Sequence, residues 1–321
     1  MNRRSRSTVS RSIVTAIADQ GALPVLEWVA ALALTGDRIR IVHVYDPMPY
    51  TTVDWQLPVD DDALVYPAAA RHTADAARRL KHARRDLRIE AEILRCAADR
   101  GLLQAAVGAD LLIVGTPHNP ASFGMLAHLS VSSPCPVLVV GDQHPPAVPS
   151  HAASTVMLHD RSSDQQLLAV AFADAAARRR DLIVLQPWRA PVGIGLVYAE
   201  TEKQKQVDEM LIGWCERYPA VAVSVELRLG DTAAVLREHA SDQAPLLMGV
   251  QADSDPTNLD PAVAQALRVR SGPILLVPLA TAEDGPDAVD VPPGYPEPDA
   301  ALPQTRAERP SAPLVPDPVG T

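Results

Sequence analysis

Short apolar runs separated by longer amphipathic stretches set the rhythm of this chain. Ile13–Ile17, Ile39–Tyr45, Leu87–Leu94, Leu111–Val114 and Val137–Val140 read as strands. So do Thr155–Leu158, Leu182–Gln186, Val221–Leu229, Leu246–Met248 and Ile274–Val277. Several of these runs are continuous rather than alternating, as expected for strands covered on both faces of a parallel sheet. Helical spacing appears between them. Leu168, Ala171, Phe172 and Ala175 follow i, i+3, i+4, i+7, and so do Val207, Met210, Leu211 and Trp214. Strands alternating with helices predict βαβ units and a doubly wound α/β sheet.

The pattern runs twice. The apolar stretch Ala109–Gly115 ends in glycine and is followed by a loop, a short helical stretch and Pro136–Val140. About 135 residues later Ala244–Gly249 and Pro273–Val277 repeat the unit, a period too long for a solenoid and suited to two tandem domains. The length of 321 residues fits that division at roughly 150 residues per domain. The predicted organisation is a frayed basic arm over 1–11, a first five-stranded domain over 12–142, a proline-stiffened linker over 143–152, a second five-stranded domain over 153–280, and a tail over 281–321. The tail is rich in proline and aspartate and has little to build a core from, so it is predicted to be disordered.

The net charge of −10 changes this picture little, because the tail alone sets eight acids against Arg306 and Arg309. The folded part is mildly acidic, which argues against a general nucleic-acid partner. No stretch of about 18 apolar residues occurs, so no membrane-spanning helix is expected. The run Ile13–Ala18 stops at Asp19, too short for a secretory leader. Three scattered cysteines, Cys96, Cys135 and Cys215, suggest a reducing compartment without a disulfide framework. The expectation is a cytoplasmic protein.

Candidate chemistry is sparse. There is no Gly-x-Ser-x-Gly elbow, no His-Glu-x-x-His and no phosphate-loop lysine, so no catalytic residue is assigned. The only lysines, Lys81, Lys203 and Lys205, fall in predicted helices away from strand ends. Asp253-x-Asp255-x-Thr257 opens like a calcium loop but has Asn258 at position six and Ala264 at position twelve, where glycine and glutamate are required. His118 and His128 have no cysteine or acid at ligand spacing, so no metal is assigned. His43 and His159 read as core or loop-entry residues, and Cys135 as a buried structural thiol. In doubly wound sheets ligands gather beyond the carboxyl ends of the strands, where strand order reverses. Those places are the loops after Ile17, Tyr45 and Gly115, and after Leu158, Gln186 and Gly249.

Over about 12–280 the chain resembles a tandem universal stress protein. The resemblance is carried by Ile41–Pro47, Gly108–Gly115 and Ser133–Val140, and in the second copy by Val156–Ser162, Trp214–Pro219 and Gly272–Val277. It implies two five-stranded, parallel HUP-like domains, ATP binding as in many members, and pairing through the fifth strands. The two copies are then expected to form an intrachain pseudo-dimer, with homo-oligomers and an unidentified protein partner beyond it. The implied role is regulatory and non-enzymatic, in the stress response.

The family's ATP-binding members carry an Asp just after strand one, and Gly-x-x-Gly, nine residues, then Gly-Ser/Thr after strand four. Glycines let the backbone approach phosphate, and free N–H groups hold it. By this resemblance the cofactor candidates are Asp160, Ser162 and Gly249 in the second copy, and Asp19, Val44 (against the adenine), Gly115 and Thr116 in the first. Both loops depart from the pattern. Ala18 occupies the Asp position of the first copy, with Asp19 one place later; His118 replaces a glycine, and Pro117 and Pro120 each remove an N–H. In the second copy Ala252 replaces a glycine and Asp260-Pro261-Ala262 replaces the Gly-Ser/Thr. The expectation is action through protein contacts with weak or absent ATP binding. The alternative is an adenine-nucleotide-binding protein or weak ATPase using the second domain.

Overall fold

The computed structural model describes residues 10–18, 22–46, 61–141, 153–159, 163–193, 195–238, 245–251, 257, 259–269 and 272–279. The predicted linker and tail, together with Asp19, Asp160 and Ser162, lie outside these residues.

Strands and helices alternate throughout. The first half contains β1 (Ser12–Ile17), α1 (Ala22–Leu32), β2 (Arg38–Tyr45), α2 (Asp61–Ala83), β3 (Arg88–Arg95), α3 (Ala98–Ala106), β4 (Leu111–Gly115), α4 (Pro120–Ser132) and β5 (Val137–Val140). The second contains β6 (Ser154–Met157), α5 (Asp164–Arg178), β7 (Leu182–Trp188), α6 (Leu196–Arg217), β8 (Val223–Leu229), α7 (Thr232–Glu238), β9 (Leu246–Gln251), α8 (Pro261–Val269) and β10 (Ile274–Leu279).

All ten strands form one sheet in the order β3-β2-β1-β4-β5-β10-β9-β6-β7-β8. Each half has the same internal order, and every pairing within a half is parallel. The halves join where β5 meets β10 antiparallel, with Val139 opposite Ile274, Leu138 opposite Leu275 and Val137 opposite Leu276. Successive strand residues point to opposite faces. Leu138 and Val140 therefore enter one core with Leu275 and Val277, while Val137 and Val139 enter the other with Ile274 and Leu276. Each core draws on both halves, which explains why these strands are apolar at every position.

The helices complete the two layers. The stripes Leu168/Ala171/Phe172/Ala175 of α5 and Val207/Leu211/Trp214 of α6 are buried as their spacing predicts, in the core that also holds Trp28 of α1. Across the junction, Arg178 Nη1 donates to the Leu32 carbonyl at the end of α1, 3.1 Å away. The same guanidinium donates through Nε to Asp174 Oδ1 at 2.8 Å, with both side chains nearly buried. Cys135 lies under the second layer, and burial pushes its thiol up to about 11, consistent with an inert structural residue.

One residue of the expected arm behaves differently. Arg11 is 6% exposed, and its Nη2 pairs with Asp37 Oδ2 at 2.8 Å. Asp37 also accepts the backbone N–H groups of Arg11 and Leu34. The chain is thus pinned one residue before β1 begins.

Candidate functional site

The strand order of the first half reverses between β1 and β4. A cavity of about 280 Å³ opens there, lined by residues following β1 and β4 and by Val42 and Val44 of β2. Three of the predicted residues, Val44, Gly115 and Thr116, meet in it. Its volume sits just under the ~300–1,000 Å³ typical of small-ligand sites.

The polar groups at its mouth are already engaged. Thr116 donates both its backbone N–H and its hydroxyl to the Val140 carbonyl, at 2.9 and 3.0 Å, which ties the loop to β5. Asn119 caps α4: its Oδ1 accepts the Ser122 N–H at 2.9 Å. Ser122 Oγ in return accepts the N–H groups of His118 and Asn119, each at 3.1 Å. Pro120 fills the first helical turn, where a missing N–H is harmless to the helix. The reciprocal capping box therefore takes the amides of His118, Asn119 and Ser122, and Pro120 offers none. Asn119 and Ser122 were not among the sequence candidates, although Asn-Pro-Ala-Ser at 119–122 has capping-box spacing.

Val44 is held from below. A Cβ placed on Gly101 of α3 would lie 2.8 Å from Val44 Cγ1 and 2.9 Å from Cys96 Sγ, so glycine lets α3 press against β2. The adjoining helix ends are linked by His128 Nδ1 and Asp99 Oδ2 at 2.8 Å. That bond holds the Asp99 carboxyl below the usual carboxylate range, with the Arg100 N–H contributing. His128 thus serves as a tie between α3 and α4. His43, buried in β2, has Nδ1 3.2 Å from the Ile17 carbonyl, the structural role read from its position.

In the second half the corresponding reversal lies between β6 and β9. Gln251, at the end of β9, donates to Ser163 Oγ at 2.6 Å across that junction. The buried Asp164 carboxylate accepts the His159 N–H at 3.1 Å. Asp260, expected in the loop beside a phosphate, instead caps α8 by accepting the Ala262 N–H at 2.7 Å.

Gly249 departs from its expected place. The strand does not stop at this glycine but continues to Gln251, and Gly249 pairs with Val277 inside it. Neither Gly249 nor Gly115 has a positive φ, so neither is there for backbone freedom. What Gly249 provides is space: an added Cβ would stand 2.3 Å from Leu279 Cδ1, whereas at Gly115 the nearest atom is Val25 Cγ2 at 3.4 Å. Gly249→Ala should lower stability by about 1–3 kcal/mol, because Leu279 is itself buried and has little room to turn. Gly115→Ala should stay within about 0.5 kcal/mol of the parent. Urea titration of the two variants side by side checks the difference.

The fold and its paired crevices define a class: a tandem α/β protein whose two sheets fuse through their fifth strands. The universal stress protein family model matches residues 10–141. Universal stress protein Rv2623 of Mycobacterium tuberculosis is 27% identical over 243 residues, covering 68% of this chain and 80% of that protein. Universal stress protein Rv2005c of the same organism is 27% identical over 211 residues, covering 60% and 70%. Among solved structures, a universal stress protein from Archaeoglobus fulgidus superposes with a TM-score of 0.61 at 11% identity, covering 84% of this chain and 97% of that one. A putative universal stress protein from Pseudomonas aeruginosa gives 0.53 at 14% identity, covering 84% and 94%. Residues 10–141 thus match the universal stress protein family, and the chain beyond them is similar to universal stress proteins along most of its length. Among the described residues, no helix is long and apolar enough to cross a membrane.

Proposed function

We propose that this protein serves the stress response as a regulatory scaffold, working through protein contacts rather than through a bound nucleotide. The match of residues 10–141 to the family model and the similarity to universal stress proteins support the stress-response role. One observation carries the finer reading: four amides at the first-half crevice, those of Thr116, His118, Asn119 and Ser122, are spent on Val140, Ser122 and Asn119. An incoming triphosphate would have to break a satisfied capping box and would meet Pro117 and Pro120 where donors are needed. In the second half the Gln251–Ser163 bond bridges the equivalent place. The adenine side of the first cavity, apolar around Val42 and Val44, is the part that still suits a planar base.

Calorimetric titration of the full chain with ATP and magnesium tests this reading. The expected result is no saturable heat at sub-millimolar concentrations and no nucleotide released when a fresh preparation is denatured. Stoichiometric ATP, or turnover of ATP by the purified protein, would return the function to nucleotide binding or hydrolysis.

A further inference from the structure

The second half carries another cleft, of about 600 Å³, outside both crevices described above. It lies beyond the carboxyl ends of β7 and β8. One wall is a face of α6, where Tyr198, Glu202 and Gln206 recur every four residues and so stand in a row. The opposite wall is the end of β7, with Trp188 and Arg189, and the turn after β8, with Asp231. That wall is firmly built. The Gly230 N–H donates to the Trp188 carbonyl at 3.0 Å, and Asp231 Oδ1 accepts the Ala234 N–H at 2.8 Å.

The charges on the two walls are the informative feature. Arg189 and Glu202 line the same cleft from opposite sides, and among the described residues neither has an ion-pair partner. Arg189 and Asp231 stand on the strand side and Glu202 and Lys203 on α6, so the lining is neutral overall and each wall carries both signs. A polyphosphate would meet Glu202 and Asp231 as well as Arg189 and Lys203, with no net positive charge to hold it. A molecule carrying one charge of each sign finds a counterpart on each wall. The lining also holds two aromatic residues, Tyr198, 65% exposed on α6, and Trp188, 8% exposed at the end of β7, beside Pro187 and Pro191. Rings pack well between such walls.

We propose that this cleft binds a small zwitterion bearing an aromatic ring, of the free aromatic amino-acid class. The carboxylate pairs with Arg189, the ammonium group meets Glu202 and Asp231, and the ring lies between Trp188 and Tyr198. The site shares no residue with the first-half cavity or with the Gln251–Ser163 junction, although it adjoins the loop after Gln186.

The test follows the indole N–H resonance of Trp188 in the full-length, nitrogen-15-labelled chain, assigned with Trp188→Phe. The probe is L-phenylalanine, which adds no indole of its own. It should shift the Trp188 resonance saturably, with Kd on the order of 1 mM or tighter, and leave those of Trp28 and Trp214 in place. Arg189→Gln and Glu202→Gln, both at exposed positions, should each weaken binding about tenfold or more while leaving the circular dichroism spectrum unchanged. N-acetyl-L-phenylalanine, which lacks the ammonium group, should bind correspondingly worse. The proposal is overturned if L-phenylalanine produces no saturable shift, if Glu202→Gln binds like the parent, or if the acetylated probe binds equally well and so reveals a plain anion site.

Discussion

Asp37→Ala will destabilise this protein by about 3–5 kcal/mol, the range for stripping one partner from a buried ion pair. Asp37 is 1% exposed and Arg11 6% exposed, so the variant leaves a guanidinium with no water to turn to. The carboxylate also gathers the N–H groups of Arg11 and Leu34 in the turn before β2. Those amides lose their acceptor as well. Arg11→Met should be milder than Asp37→Ala, because the carboxylate keeps both amide donors and the methionine stem can fill the arginine's space. Urea denaturation of the two variants checks the order. Equal losses would mean that the guanidinium contact alone accounts for the effect.

Phe172→Ala is expected to cost a similar amount, about 3–5 kcal/mol, for a different reason. Phe172 is fully buried in α5. Its ring lies 5.9 Å from that of Trp214, nearly parallel, and 5.7 Å from that of Tyr218. Removing it opens a void between α5 and α6 and strips one packing partner from each of two large rings, which keep their contact with each other at 6.3 Å. Trp214 is further held by its Nε1 donating to Gln165 at 2.7 Å, which limits how far it can move to fill the gap. Phe172→Leu should cost much less, about 1–2 kcal/mol, since most of the volume stays. Against a total stability of about 5–15 kcal/mol the alanine variant is close to unfolding. A urea midpoint shift and loss of near-ultraviolet dichroism would report it. A midpoint unchanged within error would show that α5 and α6 collapse together without strain.

The two aromatic residues at that contact were legible beforehand because each sits on a stripe of helical period. The strands were legible for the matching reason: both sheet faces are covered, so the chain spends apolar residues continuously. The end of β9 was not. Glycine usually weakens a strand, and nothing local reveals that Leu279, thirty residues further on, needs the space above Gly249. The Arg11–Asp37 pair was hidden likewise, since it joins residues far apart that only the pairing of β1 with β2 brings together. At the candidate site, Val44, Gly115 and Thr116 were found through resemblance, which reports where relatives bind and not what this chain's amides are doing. The groups on which the proposed reading rests, Asn119 and Ser122, belong to a capping pattern that local spacing could have shown.

The antiparallel meeting of β5 and β10 has a consequence for stoichiometry. Two separate subunits joined through such strands could be parted by dilution. Here a covalent tether holds the partners at a fixed effective concentration, so the union is insensitive to how much protein is present. It also uses up both inner borders of the sheet, leaving β3 and β8 as its terminal strands. A multimer formed by extending this sheet would therefore have to add to β3 or β8.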